Sequence, residues 1–244
     1  VISELDVREG DMVYVEKGGE IIPKIVEVDK DQRPDGAVPT IFPDRCPDCD
    51  TPLIRTEGEA AHYCPNAETC PPQVKGRIEH FISRKAMNID SLGEGKIDML
   101  VEAGLIRTPA DLYALTYDDL FGLTKITEED GEERKVSFKE KTAENILAGL
   151  TASLEQPFEK VLYGLGIRYV GETVAKKLAK AMKNIEAIQN ASVEELCAID
   201  EIGIKIAESV NQHFDDEENR SIVDQLRARG LKLESTEEEA GLAS

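Results

Sequence analysis

The chain has 244 residues, enough for one large domain or two to three small ones, and 41% are hydrophobic, so it can bury a core. Aromatics are only 5%, Trp is absent, no apolar run approaches the ~18 residues needed to cross a bilayer and no signal peptide is present, so a membrane or secreted protein is not expected. The formal net charge of −20 argues against a nucleic-acid binder if taken alone, but the acid is concentrated at 127–133, 215–218 and 237–239, runs that read as solvated loops or linkers.

Residues 1–43 alternate and turn. Met12-Val13-Tyr14-Val15, Ile21-Ile22 and Ile25-Val26 with Val28 have strand composition, and Lys17-Gly18-Gly19-Glu20 between them reads as a hairpin turn. Pro23 belongs at an edge or a bulge. Two or three strands do not make a stable sheet, so this stretch reads as an incomplete piece of a β domain.

Residues 44–72 hold four of the five cysteines: Cys46, Cys49, Cys64 and Cys70, spaced C-x2-C-x14-C-x5-C. Clustered cysteines in a reducing cytoplasm bind metal more often than they form disulfides. Four thiolates in two close pairs suit a tetrahedral structural Zn²⁺, with Zn–S near ~2.3 Å and no position open for water. A short hairpin through Leu53-Ile54-Arg55 and His62-Tyr63 brings the pairs together, and Pro71-Pro72 launches a helix. Disulfides or isolated core thiols are the alternative. Cys197 reads as a core thiol, and His62 as a surface residue.

From Gln73 onward the pattern is helical, in segments of 8 to 14 residues. Thr108-Pro109-Ala110-Asp111, Thr116-Tyr117-Asp118-Asp119 and Ser192-Val193-Glu194-Glu195 fit capping boxes, each followed by a leucine: Leu112, Leu120, Leu196. A repeat runs through these helices. Leu92-Gly93, Phe138-Lys139, Val170-Gly171 and Ile202-Gly203 are each followed, four and seven positions past the second residue, by core-type side chains: Ile97 and Leu100, Ala143 and Ile146, Ala175 and Leu178, Ala207 and Val210. The intervals 139 to 171 and 171 to 203 are both 32 residues, and the longer first interval places an insertion at the acidic stretch 127–135. The unit reads as two short helices joined by a tight glycine turn. There, glycine admits a left-handed or crowded backbone, and the opened helix offers free N–H groups to a phosphate. The other reading is an all-α bundle in which these glycines only stop helices. Lys139 makes the second copy the weakest.

No nucleotide-binding glycine loop, H-E-x-x-H or G-x-S-x-G pattern occurs, so no active site is expected. Of the three histidines, His80 reads as a satisfied helix residue. The pairs Asp118-Asp119 and Asp215-Asp216 read as helix starts.

The run Ile78-Glu79-His80-Phe81-Ile82-Ser83-Arg84-Lys85-Ala86-Met87-Asn88-Ile89-Asp90-Ser91-Leu92-Gly93 resembles the segment after the zinc finger of bacterial NAD-dependent DNA ligases. The cysteine spacing is similar to that family's, as are Arg107-Thr108-Pro109-Ala110-Asp111-Leu112-Tyr113 and Leu165-Gly166-Ile167-Arg168-Tyr169-Val170-Gly171-Glu172. Gly10-Asp11-Met12-Val13 and Gly19-Glu20-Ile21-Ile22-Pro23 resemble the later strands of its oligonucleotide-binding (OB) barrel. The resemblance covers about residues 5–233. It implies a mainly α, multidomain chain: the C-terminal half of an OB β-barrel (1–43), a small four-cysteine zinc finger (44–72), an all-α array of four helix-hairpin-helix motifs (73–233) and an acidic linker tail (234–244).

The implied role is to clamp nicked double-stranded DNA, independently of sequence, while a ligase forms the phosphodiester bond in replication and repair. NAD and Mg belong to the parent enzyme. The K-x-D-G lysine motif of its adenylation domain is absent, so the fragment is expected to be inactive alone. It is expected to be a monomer in the bacterial cytoplasm, associated with the nucleoid. Implied DNA contacts are Gly93, Gly171 and Gly203, with Arg84, Lys85, Lys96, Arg168 and Lys205 as charge partners and Lys17 in the barrel. Tyr169 and Glu201 stand where the family's hairpin turns begin with glycine. A DNA-binding module from another repair protein and a zinc-stapled protein scaffold remain open beside this reading.

Overall fold

The computed structural model describes residues 2–19, 22–55, 58, 61–129 and 132–236, the side chains of Thr127, Glu129 and Glu132 excepted. Glu20 and Ile21 of the first expected hairpin, Asp130 and Gly131 of the acidic run, and 237–244 of the expected tail lie outside the described residues. The chain divides into two compact units, Val1–Pro65 and Asn66–Ser244.

The first unit opens with α1 (Ile2–Leu5), followed by β1 (Met12–Gly18), β2 (Ile22–Asp29) and a 3-10 turn over Lys30–Gln32. The strands pair antiparallel from Met12 opposite Asp29 to Gly18 opposite Ile22. Tyr14 faces Glu27 while Val15 faces Ile25, so Val26 is the extra residue of a bulge, which strengthens the local twist. Pro23 faces Lys17, tolerated because both strands of a two-stranded ribbon are edges. Among the unit's described residues only Val28 and Cys46 are buried, while Met12, Tyr14, Val15 and Ile22 are all more than half exposed. So hydrophobic burial is not what orders this ribbon.

Arginine does that work instead. Arg33 sends Nε to Asp11 Oδ1 at 2.9 Å, Nη1 to Asp6 Oδ2 at 2.8 Å and Nη2 to the Asp6 carbonyl at 2.6 Å. Arg8 holds the same Asp6 carboxylate from Nε (3.1 Å) and Nη2 (3.0 Å), and reaches the Ala37 carbonyl at 2.8 Å. Hydrogen bonds from Arg8, then Arg33, hold the Asp6 carboxyl down at about 2. Bidentate guanidinium contacts of this kind fix geometry as well as charge.

The second unit is helical: α2 (Pro71–Ile82), α3 (Glu94–Glu102), a 3-10 segment Pro109–Ala114, α4 (Tyr117–Leu120), then β3 (Thr124–Glu129) and β4 (Glu132–Ser137), α5 (Glu140–Ser153), α6 (Phe158–Gly164), α7 (Glu172–Met182), α8 (Ile185–Asn190), α9 (Val193–Cys197), α10 (Ile204–Asp215) and α11 (Glu217–Ala228). One hydrophobic core runs from Val74 to Leu233. Helices α2 with α3, α4 with α5, α6 with α7 and α9 with α10 pack as consecutive pairs. The second member of each pair is a helix that the sequence repeat picks out. Its two core positions, Ile97 and Leu100, Ala143 and Ile146, Ala175 and Leu178, Ala207 and Val210, are all fully buried. Leu92, Phe138, Val170 and Ile202 are buried too, plugging the turn into the core.

All three expected capping boxes form, and Leu112, Leu120 and Leu196 behind them are fully buried. The first box opens a 3-10 segment rather than an α-helix. The acidic run at 127–133 needs a larger correction. It is not a loop: β3 and β4 form an antiparallel ribbon from Thr124 opposite Ser137 to Glu129 opposite Glu132. Its base is closed by Phe138 N–H to the Leu123 carbonyl and Gly122 N–H to the Phe138 carbonyl, both 2.9 Å. The ribbon lies where the repeat places its insertion, between α4 and α5.

Candidate metal centre and nucleic-acid interface

The cysteines sit on two tight turns joined by a hairpin. In the first turn the Cys46 carbonyl accepts from Asp50 N–H (2.8 Å) and Cys46 N–H donates to the Thr51 carbonyl (2.9 Å). Asp50 takes a left-handed φ of 57° to turn the chain back, a conformation Asp tolerates through its short polar side chain. Ile54 and Tyr63 then exchange two backbone hydrogen bonds of 2.8 Å, which is the expected hairpin. In the second turn Asn66 Oδ1 accepts from Thr69 N–H (3.2 Å) and Oγ1 (2.8 Å), and the Asn66 carbonyl accepts from Cys70 N–H (3.2 Å). Cys70 is itself the N-cap of α2, with Pro71 and Pro72 in the first turn.

The four sulfurs all lie within 4.8 Å of one another, with Cys49 and Cys64 at 3.5 Å. Tetrahedral Zn–S bonds of ~2.3 Å put sulfurs roughly 3.8 Å apart, so the set fits Zn²⁺. It does not fit disulfides, whose sulfurs are bonded at ~2.05 Å, and none of the five cysteines is in one. Thr51, a residue the sequence did not single out, tunes the site. Its hydroxyl, 3.2 Å from Cys49 Sγ, and its backbone hold that thiol down at about 6. A thiol so lowered is largely the thiolate that zinc requires near neutral pH. His62 is exposed and stacks on Phe42 at 6.0 Å, outside the cluster.

In the second unit Gly93, Lys139, Gly171 and Gly203 are the N-caps of α3, α5, α7 and α10. The glycines do not serve the left-handed or crowded backbone expected of them. Their φ values are −124°, −80° and −82°, and a Cβ at any of them would meet nothing within 4 Å. Lys139 adopts the same extended conformation at −93°. The left-handed residues are instead Tyr169 (φ 65°) and Glu201 (φ 62°), two positions earlier.

These four helices begin alike. None has a side-chain cap on its N–H groups. By contrast Thr116, Asn184, Ser192 and Asp216 cap α4, α8, α9 and α11 through their side-chain oxygens, while α2, launched by Pro71-Pro72, and α6, which follows Pro157, also lack a side-chain cap. Uncapped N–H groups at the positive end of a helix dipole attract anions.

The candidate cations differ in their freedom. Arg84, Lys205 and Lys17 are exposed. Lys96 is half-buried and donates to its own turn's Ser91 carbonyl at 2.5 Å. Lys85 pairs with Glu172 at 3.0 Å. The Arg168 guanidinium lies 4.9 Å from the Tyr169 ring centroid, and its carbonyl accepts from Ser209 Oγ at 2.7 Å. Glu94, Glu140 and Glu172 put a carboxylate in the first turn of α3, α5 and α7, but α10 starts Ile204-Lys205 with none.

His80 and His213 are structural. His80 Nε2 is 2.8 Å from the Tyr163 carbonyl, and burial pushes His213 down to about 4. Asp119 and Asp216 cap helices, as expected of such pairs.

Family models match the chain in three places. The OB-fold domain of NAD-dependent DNA ligases matches residues 1–37, the C4 zinc finger domain of NAD-dependent DNA ligases matches 45–71, and a helix-hairpin-helix motif matches 160–223. Similar relatives are DNA ligases of Bacteroides fragilis (54% identical over 98% of this chain), Phocaeicola vulgatus (52%, 98%) and Christiangramia forsetii (53%, 97%). The chain spans about a third of their length, 34% in each case. Over that span the chain belongs to the NAD-dependent DNA ligase family, whose OB-fold, C4 zinc-finger and helix-hairpin-helix regions it carries.

Proposed function

We propose that this chain is the part of an NAD-dependent DNA ligase that clamps nicked duplex DNA by its phosphates, without reading base sequence, during phosphodiester bond formation in replication and repair. The observation that carries this is the shared uncapped start of the four repeat helices. Helices α3, α5, α7 and α10 all leave their first N–H groups without a side-chain cap after an extended N-cap residue, whereas α4, α8, α9 and α11 carry one. Helices α2 and α6 also lack one, but they start at prolines, Pro71-Pro72 and Pro157. A fold gains stability from an N-cap, so withholding one at four repeat-related positions suits a ligand that supplies the acceptor. Phosphate contacts position a duplex without specifying its sequence.

The parts divide as an OB half (1–43) contributing Lys17, a zinc finger (44–72), four helix-hairpin-helix motifs (73–233) and a linker tail (234–244). Cys46, Cys49, Cys64 and Cys70 hold one structural zinc ion, which supplies folding energy to a module with little core. The four hairpins are not equal. Gly203 with Lys205 forms the strongest phosphate contact, because no first-turn carboxylate opposes it. Gly93 with Arg84 and Lys96, and Gly171 with Lys85 and Arg168, contribute less. NAD and Mg are used by the ligase's adenylation domain, so this chain joins no nicks alone. It acts as a monomer in the bacterial cytoplasm, on the nucleoid.

The net charge of −20 favours a second reading, a zinc-stapled scaffold for a basic protein partner. Titration of nicked duplex at 50 and 200 mM salt separates the two. The clamp binds weakly at the lower salt and loses affinity steeply at the higher. Absence of binding at 50 mM would favour the scaffold.

A further inference from the structure

A concavity of about 300 Å³ lies beside the first two turns of α7. Three elements send lysines to it: Lys85 from the loop after α2, Lys160 from α6 and Lys176 from α7, and Thr173 is part of the same lining. Tyr163 forms part of the wall, held by its carbonyl to His80 Nε2 at 2.8 Å and by ring contact with His80 at 4.6 Å. Two carboxylates also line it, Glu159 and Glu172. Glu172 Oε1 lies 3.0 Å from Lys85 Nζ, and the two side chains remain 45% and 68% exposed. An ion pair that open to water is weak and exchanges readily. Lys85 and Glu172 belong to different hairpins, so the pair is not a product of local chain spacing.

We infer that this concavity is a further phosphate site for duplex DNA, built by Lys85, Lys160 and Lys176, and that Glu172 stands in for the phosphate while the chain is free of DNA. The inference rests on the clamp reading, but it adds Lys160, Lys176 and Thr173 to the contacts and gives Glu172 an opposing role. The exchange is balanced in charge. A phosphodiester carries one negative charge, as the carboxylate does, and offers more acceptor oxygens to three ammonium groups and a hydroxyl. Glu172 at the start of α7 also suits the helix dipole, so holding it there costs the free chain little.

The test is titration of nicked duplex into the 244-residue chain at 50 and 200 mM salt. Glu172→Gln is expected to tighten binding. It should also enlarge the loss of affinity between the two salts by about 3.5-fold, the increment of one added phosphate contact. The double variant Lys160→Gln/Lys176→Gln is expected to weaken binding and shrink that loss by up to about 12-fold, two such increments. Misfolding cannot imitate the gain in Glu172→Gln. Unchanged binding in both variants, with Lys205→Gln still weakened, would overturn this site and leave the clamp standing. Failure of the unsubstituted chain to bind at 50 mM would overturn the clamp and this site with it.

Discussion

Gly203 shows how one atom separates stability from binding. Its φ of −82° and the open space around it mean that serine fits without strain. Serine is a better N-cap than glycine because its hydroxyl accepts from the helix N–H groups. Gly203→Ser is therefore expected to stabilise the fold by a few tenths of a kcal/mol (about 0.3). It should also weaken DNA binding, since the hydroxyl takes the donors a phosphate would use. Thermal melting and duplex titration check the two halves; a drop in both stability and affinity would point to a packing role instead.

His213 gives a second prediction at this scale. Burial lowers its pKa to about 4, with Arg77 pushing the same way and Asp216 opposing. The unfolded chain therefore binds the proton more readily. The contribution of neutral His213 is complete above about 6.5 and is lost as pH falls toward 4, at most about 3 kcal/mol. His213→Gln should flatten the stability profile in that window, as read from denaturant midpoints.

The β3–β4 ribbon belongs to the scale of elements. Its base is already joined by the backbone bonds between Gly122, Leu123 and Phe138, and Phe138 is buried below it. Residues 125–136 carry five acidic and three basic side chains. Replacing them with a two-residue turn is expected to change stability by less than about 1 kcal/mol, since exposed segments contribute little. DNA affinity at low salt should rise as negative charge is removed. Circular dichroism and titration read the two effects.

The position of this ribbon was legible in the repeat, because Leu120 stands 19 residues before Lys139 where Leu196 stands 7 before Gly203, and the surplus of 12 had to go somewhere, but its form was not. Asp130-Gly131 is a hairpin dipeptide, flanked by Thr124-Lys125-Ile126 and Lys135-Val136, yet the surrounding glutamates suggested a solvated loop. The hairpin helices were legible because apolar spacing and burial follow one rule. The residues that open them are legible too, but Gly93, Gly171 and Gly203 have extended backbone there rather than left-handed. Left-handed strain falls on Tyr169 and Glu201, and no composition rule places a tyrosine there. Nor could the sequence show Arg33 reaching Asp6 and Asp11, since pairs 22 to 27 residues apart have no periodicity.

At the scale of the whole molecule the two units hold together by different means, and they should fail separately. The first has two buried residues among those described and an arginine network, while the second has a continuous core from Val74 to Leu233. Chelation, or Cys46→Ser or Cys64→Ser, is expected to unfold the cysteine module and leave most of the helical signal. Native mass spectrometry should find one zinc per chain before chelation and none after. In a full-length ligase the same substitutions should impair nick joining while self-adenylation persists. Loss of both would show that the cysteines support more than the clamp.

The closure at Leu123 and Phe138 also has a practical use. The chain leaves the helical body and returns to it through adjacent backbone bonds, and beyond Lys125, which pairs with Glu102 of α3 at 2.8 Å, the described side chains of the ribbon are exposed or half-exposed. That makes the ribbon a grafting port. An epitope or a fluorophore-bearing hairpin could be exchanged for it, reporting on the molecule from a position where the fold has already made room for foreign sequence.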